Sequence, residues 1–392
     1  MKILSLSETY PPETGGGSTY VYNISNRIQS PQAEIVVLTR QSDIPHEDEK
    51  TPYLSVVRLA VPSYNKGHYG INLNRFRLII KMLRTTLKMY KNFDIIHIYS
   101  GGATKIVGWL LKNLYRIKKP VVLTFLGSSV GWHSKAMNPI KAKFLDAFVR
   151  ELELGAYYDR YLVVDDGDHS FRALEKSSIL FRRRIPKSRI RRHYQGVDCE
   201  KFSPRSVKKD GKNIVFIGRL EPLKGADILI KALPNIFDKV KDAKAIIVGD
   251  GPSRPELERL VKKLNLTSVE FVGSVPHDKI AYYMNLSDCV VFLDLYGFDF
   301  PRTLNLTHCE AMASGALILS SSKPRPEWNR QTWVEIDKPD PSEVSAKVVD
   351  ILKNPEKYRQ LSKNAREVAL KYFSWDEVVK MYYDEFSSLA KK

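Results

Sequence analysis

Cysteine is nearly absent. The three present in 392 residues, Cys199, Cys289 and Cys309, have spacings that fit neither a zinc site nor a disulfide framework. A reduced, cytoplasmic setting is the expectation. Long apolar runs are missing too. A bilayer-spanning helix needs ~20 apolar residues, and the runs here are strand-sized. The opening Met1–Ser7 segment is too short and polar for a secretory core and reads as a first strand. The four Asn-x-Ser/Thr sequons, at Asn23, Asn265, Asn285 and Asn305, are therefore read as chance. No solenoid period and no low-complexity tract occurs. Acidic residues are outnumbered, 44 against 62 basic, for a formal charge of +18. Such a surface attracts nucleic acid, anionic lipid or phosphorylated substrates, and charge alone does not choose among them.

What is present suits packed cores. Hydrophobic residues make up 43% and aromatics 10% of the chain, which argues against disorder. The length suggests two domains. Strand-like and helix-like runs alternate nearly throughout, so the fold class is α/β, with parallel sheets covered by helices. A polar seam at 203–212 separates two such halves. The expectation is two facing, doubly wound, Rossmann-like domains. One spans 1–203, with a C-terminal helix over 374–392 returning to it, and the other spans 204–373. Ligands of such folds bind beyond the carboxyl ends of the strands, and two facing domains would make a cleft.

Residues 214–225 carry the strongest signal. An apolar run, Ile214 to Ile217, ends at Gly218, and Arg219 and Lys224 follow before a helical pattern opens at Gly225. Two cations where a strand becomes a helix can grip a diphosphate. Arg brings a planar fork, Lys a point charge and the helix N-terminus its dipole. From this segment alone, an exposed loop with solvated cations reads equally well. A glycine loop, Gly15-Gly16-Gly17, follows the first strand and permits close approach of a phosphate or sugar. Its spacing matches neither the dinucleotide fingerprint nor a Walker loop. Glu310, in Glu310-Ala311-Met312-Ala313-Ser314-Gly315, could accept both hydroxyls of a ribose. Asn305, Leu306 and Thr307 open the same helix and offer backbone amides. Gly249-Asp250-Gly251-Pro252 is ordinary turn chemistry.

Taken in order, Tyr10-Pro-Pro with Gly15–Gly17, Gln195-Gly-Val-Asp, Gly218-Arg-Leu with Lys224-Gly, Gly249-Asp-Gly-Pro, Val272-Gly273 and Glu310-Ala-Met-Ala-Ser-Gly cover essentially the whole chain. This order resembles family 4 of the retaining glycosyltransferases, enzymes of the B-type fold. The resemblance implies metal-independent transfer of a hexose from a nucleotide-diphosphate sugar to an acceptor glycan or lipid-linked acceptor, with no cofactor. It implies that Arg219 and Lys224 hold the leaving diphosphate, with Gly218 beside them, and that Gly15, Gly16 and Gly17 lie near the donor phosphates or sugar. Gly16 joins Arg219 and Lys224 in the expected catalytic set. Glu310 would hold the ribose, Val272 and Gly273 would meet the base, and Asn305, Leu306 and Thr307 would line the donor site. Two positions depart from the pattern. Arg302 stands where the family carries a glutamate, with Asp299 nearby. Leu126 stands where it carries a histidine before the position of Gly127, with His133 downstream.

Tyr10, Glu13 and Ser128 are acceptor-side candidates. Phe76, Ile79, Ile80, Leu83, Leu87 and Tyr90 share a helical face, and Arg77, Lys81, Arg84, Lys88 and Lys91 keep the same spacing one residue on. This reads as a core-packed helix with a solvated basic face, or as a contact for an anionic membrane surface at the acceptor side. A second basic cluster runs from Arg182 to Arg192. Neither cluster carries a nucleic-acid motif, so no nucleic acid is expected as a partner. The resulting expectation is a cytoplasmic enzyme, peripheral on the inner face of the membrane. The competing readings are a catalytically silent nucleotide-sugar-binding relative and, last, a basic nucleic-acid-binding protein.

Overall fold

A computed structural model describes residues 1–13, 16–44, 50–62, 73–126, 147–164, 174, 178, 181–295, 304–337 and 339–391. The chain divides into two compact units. The first comprises Met1–Tyr194 with Asp376–Lys392, the second Gln195–Trp375.

The first unit is built on seven strands: β1 (Lys2–Leu6), β2 (Glu34–Arg40), β3 (Leu54–Leu59), β4 (Ile95–Tyr99), β5 (Val121–Phe125), β6 (Arg160–Val164) and β7 (Ile190–His193). Their order is β3-β2-β1-β4-β5-β6-β7, every pair parallel. Strands such as Ile95-Ile96-His97-Ile98-Tyr99 are buried along their whole length, as expected of a sheet covered on both faces. Among the helices are α1 (Gly16–Ile28), α2 (Leu73–Met89) and α3 (Gly102–Asn113), and α2 packs beside α3. Residues 147–150 are helical and run into a single π turn at Glu151–Gly155.

The second unit has six strands: β8 (Lys212–Ile217), β9 (Ala243–Val248), β10 (Val269–Gly273), β11 (Cys289–Phe292), β12 (Ile318–Ser320) and β13 (Val334–Glu335). Their order is β10-β9-β8-β11-β12-β13, again parallel throughout. The helices are α4 (Ala226–Lys239), α5 (Arg254–Lys263), α6 (His277–Leu286), α7 (Leu306–Ala313), α8 (Pro341–Lys353) and α9 (Pro355–Tyr372). In α4 the buried Leu229, Ile230, Leu233 and Ile236 form one stripe against the sheet. Strand order reverses between β8 and β11, and such a switch point leaves a crevice beyond the carboxyl ends of its strands.

The last helix, α10 (Trp375–Ala390), belongs to the first unit from Asp376 onward. Its Tyr382 hydroxyl lies 3.0 Å from Thr124 Oγ1, and its Phe386 ring packs edge-on to His97 at 5.0 Å. His97 Nε2 is 2.7 Å from the same Thr124 hydroxyl. Burial holds the His97 imidazole neutral, lowering its pKa to about 3.

The face assigned to α2 is corrected by the structure. Its fully buried stripe is Leu78, Met82 and Thr86, one residue off the expected one. Ile79, Leu83, Leu87 and Tyr90 are partly buried against the core. Phe76 turns outward at 56% exposure, beside the exposed Leu73. Arg77, Lys81, Arg84 and Lys88 are exposed on the same helix. The 182–192 cluster is partly structural. Arg183 lies over the Phe181 ring at 4.5 Å and donates to Gly155 O, and Arg189 stacks on Tyr157 at 4.2 Å.

Candidate active site

The chemistry of the second unit gathers where β8 and β11 end side by side. β8 gives way to Gly218 and Arg219, a short turn at Pro222–Lys224 and Gly225 at the head of α4. Gly225 has φ 70°, and a Cβ there would stand 2.7 Å from Leu293 O. Glycine is required on both counts. The turn after β8 is therefore pressed against the segment after β11. Leu295 N donates to Leu223 O at 2.7 Å and ties the two together.

That contact places Lys224. Its Nζ lies 2.6 Å from Asp294 Oδ1, with the lysine side chain 19% and the aspartate 3% exposed. Asp294 Oδ2 accepts from Asn305 Nδ2 at 3.1 Å. Asn305 caps α7, its Oδ1 accepting from His308 N at 2.9 Å. Leu306 and Thr307 form the first turn behind it and are half-buried. Arg219 is different: it is 76% exposed and pairs with Glu221 at 2.8 Å.

Glu310 sits further along α7 and is buried. Its Oε1 lies 2.6 Å from Nε2 of His277, the first residue of α6. The imidazole is exposed, rests 5.3 Å from the Phe202 ring, and has Lys201 Nζ 3.5 Å from its Nδ1. Burial raises the Glu310 pKa, and the His277 hydrogen bond partly offsets that rise. Val272 and Gly273 end β10, four residues before His277, so the expected base-contacting segment runs straight into the group that holds Glu310.

Gly249-Asp-Gly-Pro is a structural turn. A Cβ at Gly249 (φ 130°) would fall 1.9 Å from Gly218 O, so this glycine lets the β9 loop close on the Arg219 loop. Leu220 N donates to Asp250 O at 2.9 Å, fixing that approach.

In the first unit, Gly16 and Gly17 open α1 at the carboxyl end of β1 and are exposed. Among the described residues, a Cβ at Gly16 would meet nothing within 4 Å, and one at Gly17 would meet Leu126 at 3.8 Å. The glycine loop and the departing Leu126 position are thus neighbours. Glu8, which the sequence reading passed over, turns its carboxylate onto Ala103 N in the first turn of α3. A helix terminus filled by a carboxylate is poorly placed to take a phosphate as well. Tyr10 is buried against the Tyr22 ring and accepts from Asn26 at 3.2 Å, and Glu13 pairs with Arg40. Gly15, Gly127, Ser128, His133, Asp299 and Arg302 lie outside the described residues. Among the described residues, no three His, Cys, Asp or Glu side chains converge as a metal site, and no helix is long and apolar enough to cross a membrane.

Two family models match, one described as Glycosyltransferase Family 4 over residues 14–201 and one as Glycosyl transferases group 1 over residues 198–368. A GDP-mannose-dependent alpha-(1-6)-phosphatidylinositol monomannoside mannosyltransferase of Mycolicibacterium smegmatis is 26% identical, with 95% of each chain covered. Sucrose-phosphate synthase of Thermosynechococcus elongatus superimposes with a TM-score of 0.72 at 19% identity, covering 99% of this chain and 98% of that one. Anabaena HepE in complex with UDP gives 0.69 at 17% identity, covering 99% of this chain and 100% of that one. Two Rossmann-like units with parallel sheets, both matched by glycosyltransferase models, define a B-type glycosyltransferase. The chain belongs to glycosyltransferase family 4.

Proposed function

We propose that this glycosyltransferase takes a hexose from a nucleotide-diphosphate sugar and passes it, with retention at the anomeric carbon, to a glycan or lipid-linked acceptor. The carrying observation is the link from Lys224 through Asp294 to Asn305, the cap of α7, on the same helix that carries the buried Glu310 beyond the switch point of the second unit. In this reading Lys224 and Arg219 take up the negative charge that grows on the departing diphosphate. Glu310, ionised, accepts from the ribose hydroxyls, and Gly273 leaves room for the base. Preorganised cations suit this task because they need little rearrangement as charge develops. No metal ion is required by the proposal. The nucleotide donor draws support from the GDP-mannose named for the mycobacterial relative and the UDP bound by HepE. Those two carry different bases, so the base is left to experiment.

The acceptor side is assigned to the first unit. There, exposed Leu73 and Phe76 stand at the start of α2 above Arg77, Lys81, Arg84 and Lys88. An apolar pair beside a basic ladder suits an anionic membrane surface, which fits a lipid-linked acceptor and a peripheral enzyme on the cytoplasmic face.

The test is a panel of labelled uridine, guanosine and adenosine diphosphate hexoses, incubated with and without membrane extract. Transfer that keeps the anomeric configuration and survives chelation supports the proposal. Binding of a donor with neither transfer nor hydrolysis would instead support a silent relative, the reading that Leu126 favours.

A further inference from the structure

We infer that Asp294 is a positioning residue that aims the Lys224 ammonium at the departing diphosphate and locks it to the start of α7. The inference rests on the proposed role of Lys224 as a diphosphate ligand. A lysine is a point charge on a four-carbon stem, and left alone it spreads over many rotamers. Here one of its three N–H donors is committed to Asp294 Oδ1 at 2.6 Å. The side chain still reaches solvent, at 19% exposure.

Asp294 is itself over-determined. It is buried, so its carboxylate must keep polar partners. Its second oxygen takes Asn305 Nδ2 at 3.1 Å, and its main-chain oxygen takes Ser321 Oγ at 3.1 Å. Through Asn305 the same carboxylate reaches the cap of α7. One side chain thus bridges the two sides of the switch point, the loop after β8 and the helix that carries Glu310. Asp294 also offsets the lysine charge before a donor arrives. It should therefore do little for ground-state attraction and much for placement, where charge develops only during reaction.

The experiment compares Lys224→Ala, Asp294→Asn and the double variant with the wild-type chain. The probe is whichever of UDP, GDP and ADP binds the wild-type chain by calorimetry, together with its hexose donor. The expected result for Asp294→Asn is a kcat at least tenfold lower, a donor KM within threefold of wild type and a folded circular-dichroism spectrum. The double variant should be no slower than Lys224→Ala alone, because Asp294 acts through Lys224. Asp294→Glu, which keeps the charge, should recover part of the loss. Asp294→Ser gives the same comparison should the asparagine variant not fold. Wild-type kcat in Asp294→Asn, or losses that multiply in the double variant, overturns the inference while a defect in Lys224→Ala leaves the parent reading standing. Wild-type turnover in Lys224→Ala, or no binding of any of the three nucleotides, overturns the parent reading and the inference with it.

Discussion

His277 Nε2 sits 2.6 Å from Glu310 Oε1, an exposed imidazole bonded to a buried carboxylate. The pair joins the first residue of α6 to the middle of α7. Burial disfavours the charged form of Glu310 and raises its pKa, while the imidazole N–H favours the charged form. Removing the imidazole should raise that pKa further. If the ionised carboxylate accepts from ribose hydroxyls, nucleotide affinity falls as pH drops through the Glu310 pKa. In His277→Ala that acid limb should therefore move to higher pH. Because His277 is exposed, the loss at neutral pH should be modest, about fivefold, in line with a hydrogen bond worth ~1 kcal/mol. Calorimetric titration of the nucleoside diphosphate between acid and neutral pH would read the shift. An unmoved acid limb would remove Glu310 from the ribose subsite.

The two cations predict opposite balances of function and stability. Both Arg219→Ala and Lys224→Ala should cut transfer by ~2–4 kcal/mol of barrier, the usual loss for one preorganised electrostatic donor. Their effects on folding should differ. Arg219 is exposed and its pair with Glu221 lies at the surface, so removing it should leave the unfolding midpoint unchanged. Lys224 neutralises a buried aspartate. Its removal should cost roughly 1–3 kcal/mol, less than a fully enclosed pair because the lysine reaches solvent. Equal midpoints for the two variants would contradict the structural account of Lys224.

His308 should make the second unit acid-sensitive. Its ring stacks on Phe292 at 4.7 Å and meets Trp333 edge-on at 4.5 Å. Neither ring nitrogen has a hydrogen-bond partner among the described residues, and burial lowers the pKa to about 3. A histidine in the unfolded chain takes up its proton near pH 6.5. Stability from this residue is therefore fully present above that pH and lost as pH falls from 6.5 towards 3. The loss at pH 5 should be about 2 kcal/mol. His308→Phe should keep the stacking, fold at neutral pH and abolish that increment. Denaturant unfolding at pH 7 and pH 5 would show it, and an unchanged pH dependence would count against a neutral buried ring.

Much of this architecture can be read from residue order. The apolar runs at Ile95–Tyr99 and Val121–Phe125 became strands with those bounds because parallel sheets bury both faces. Two edge strands escaped notice. β7 is Ile190-Arg191-Arg192-His193, with both arginines exposed, and polar side chains at a sheet edge hide the strand pattern. β13 spans two residues. The candidate site was legible where motifs are local, at Arg219, Lys224 and Glu310. Asp294, His277 and Glu8 were not, because their roles come from partners 70, 33 and 95 positions away. A buried acid directly after an apolar strand, as in Val290–Leu293 then Asp294, was the one signal that could have pointed to the first of them. The α2 face slipped by one residue because Phe76 and Leu78 are both apolar, and periodicity alone does not say which one meets the sheet.

That slip gives the last prediction. Leu73 and Phe76 are exposed, large and apolar, on a helix that also exposes Arg77, Lys81, Arg84 and Lys88. Solvated cations along a core-packed helix would need no apolar neighbours at its start. A membrane contact uses both, since the cations are drawn to anionic headgroups at about 1 kcal/mol each and the apolar side chains enter the interface. The wild-type chain should sediment with vesicles containing anionic lipid and not with neutral ones, and added salt should release it. The pair Leu73→Ser and Phe76→Ser should weaken retention at high salt most, where the apolar term remains. The pair Lys81→Glu and Arg84→Glu should abolish binding at low salt by removing four units of favourable charge difference. Both pairs belong to the first unit, and the proposed nucleotide site is built from the second, so affinity for the nucleoside diphosphate should stay at the wild-type value in both. Equal sedimentation of all variants with anionic vesicles would assign the binding elsewhere on the basic surface and leave α2 as a solvated face.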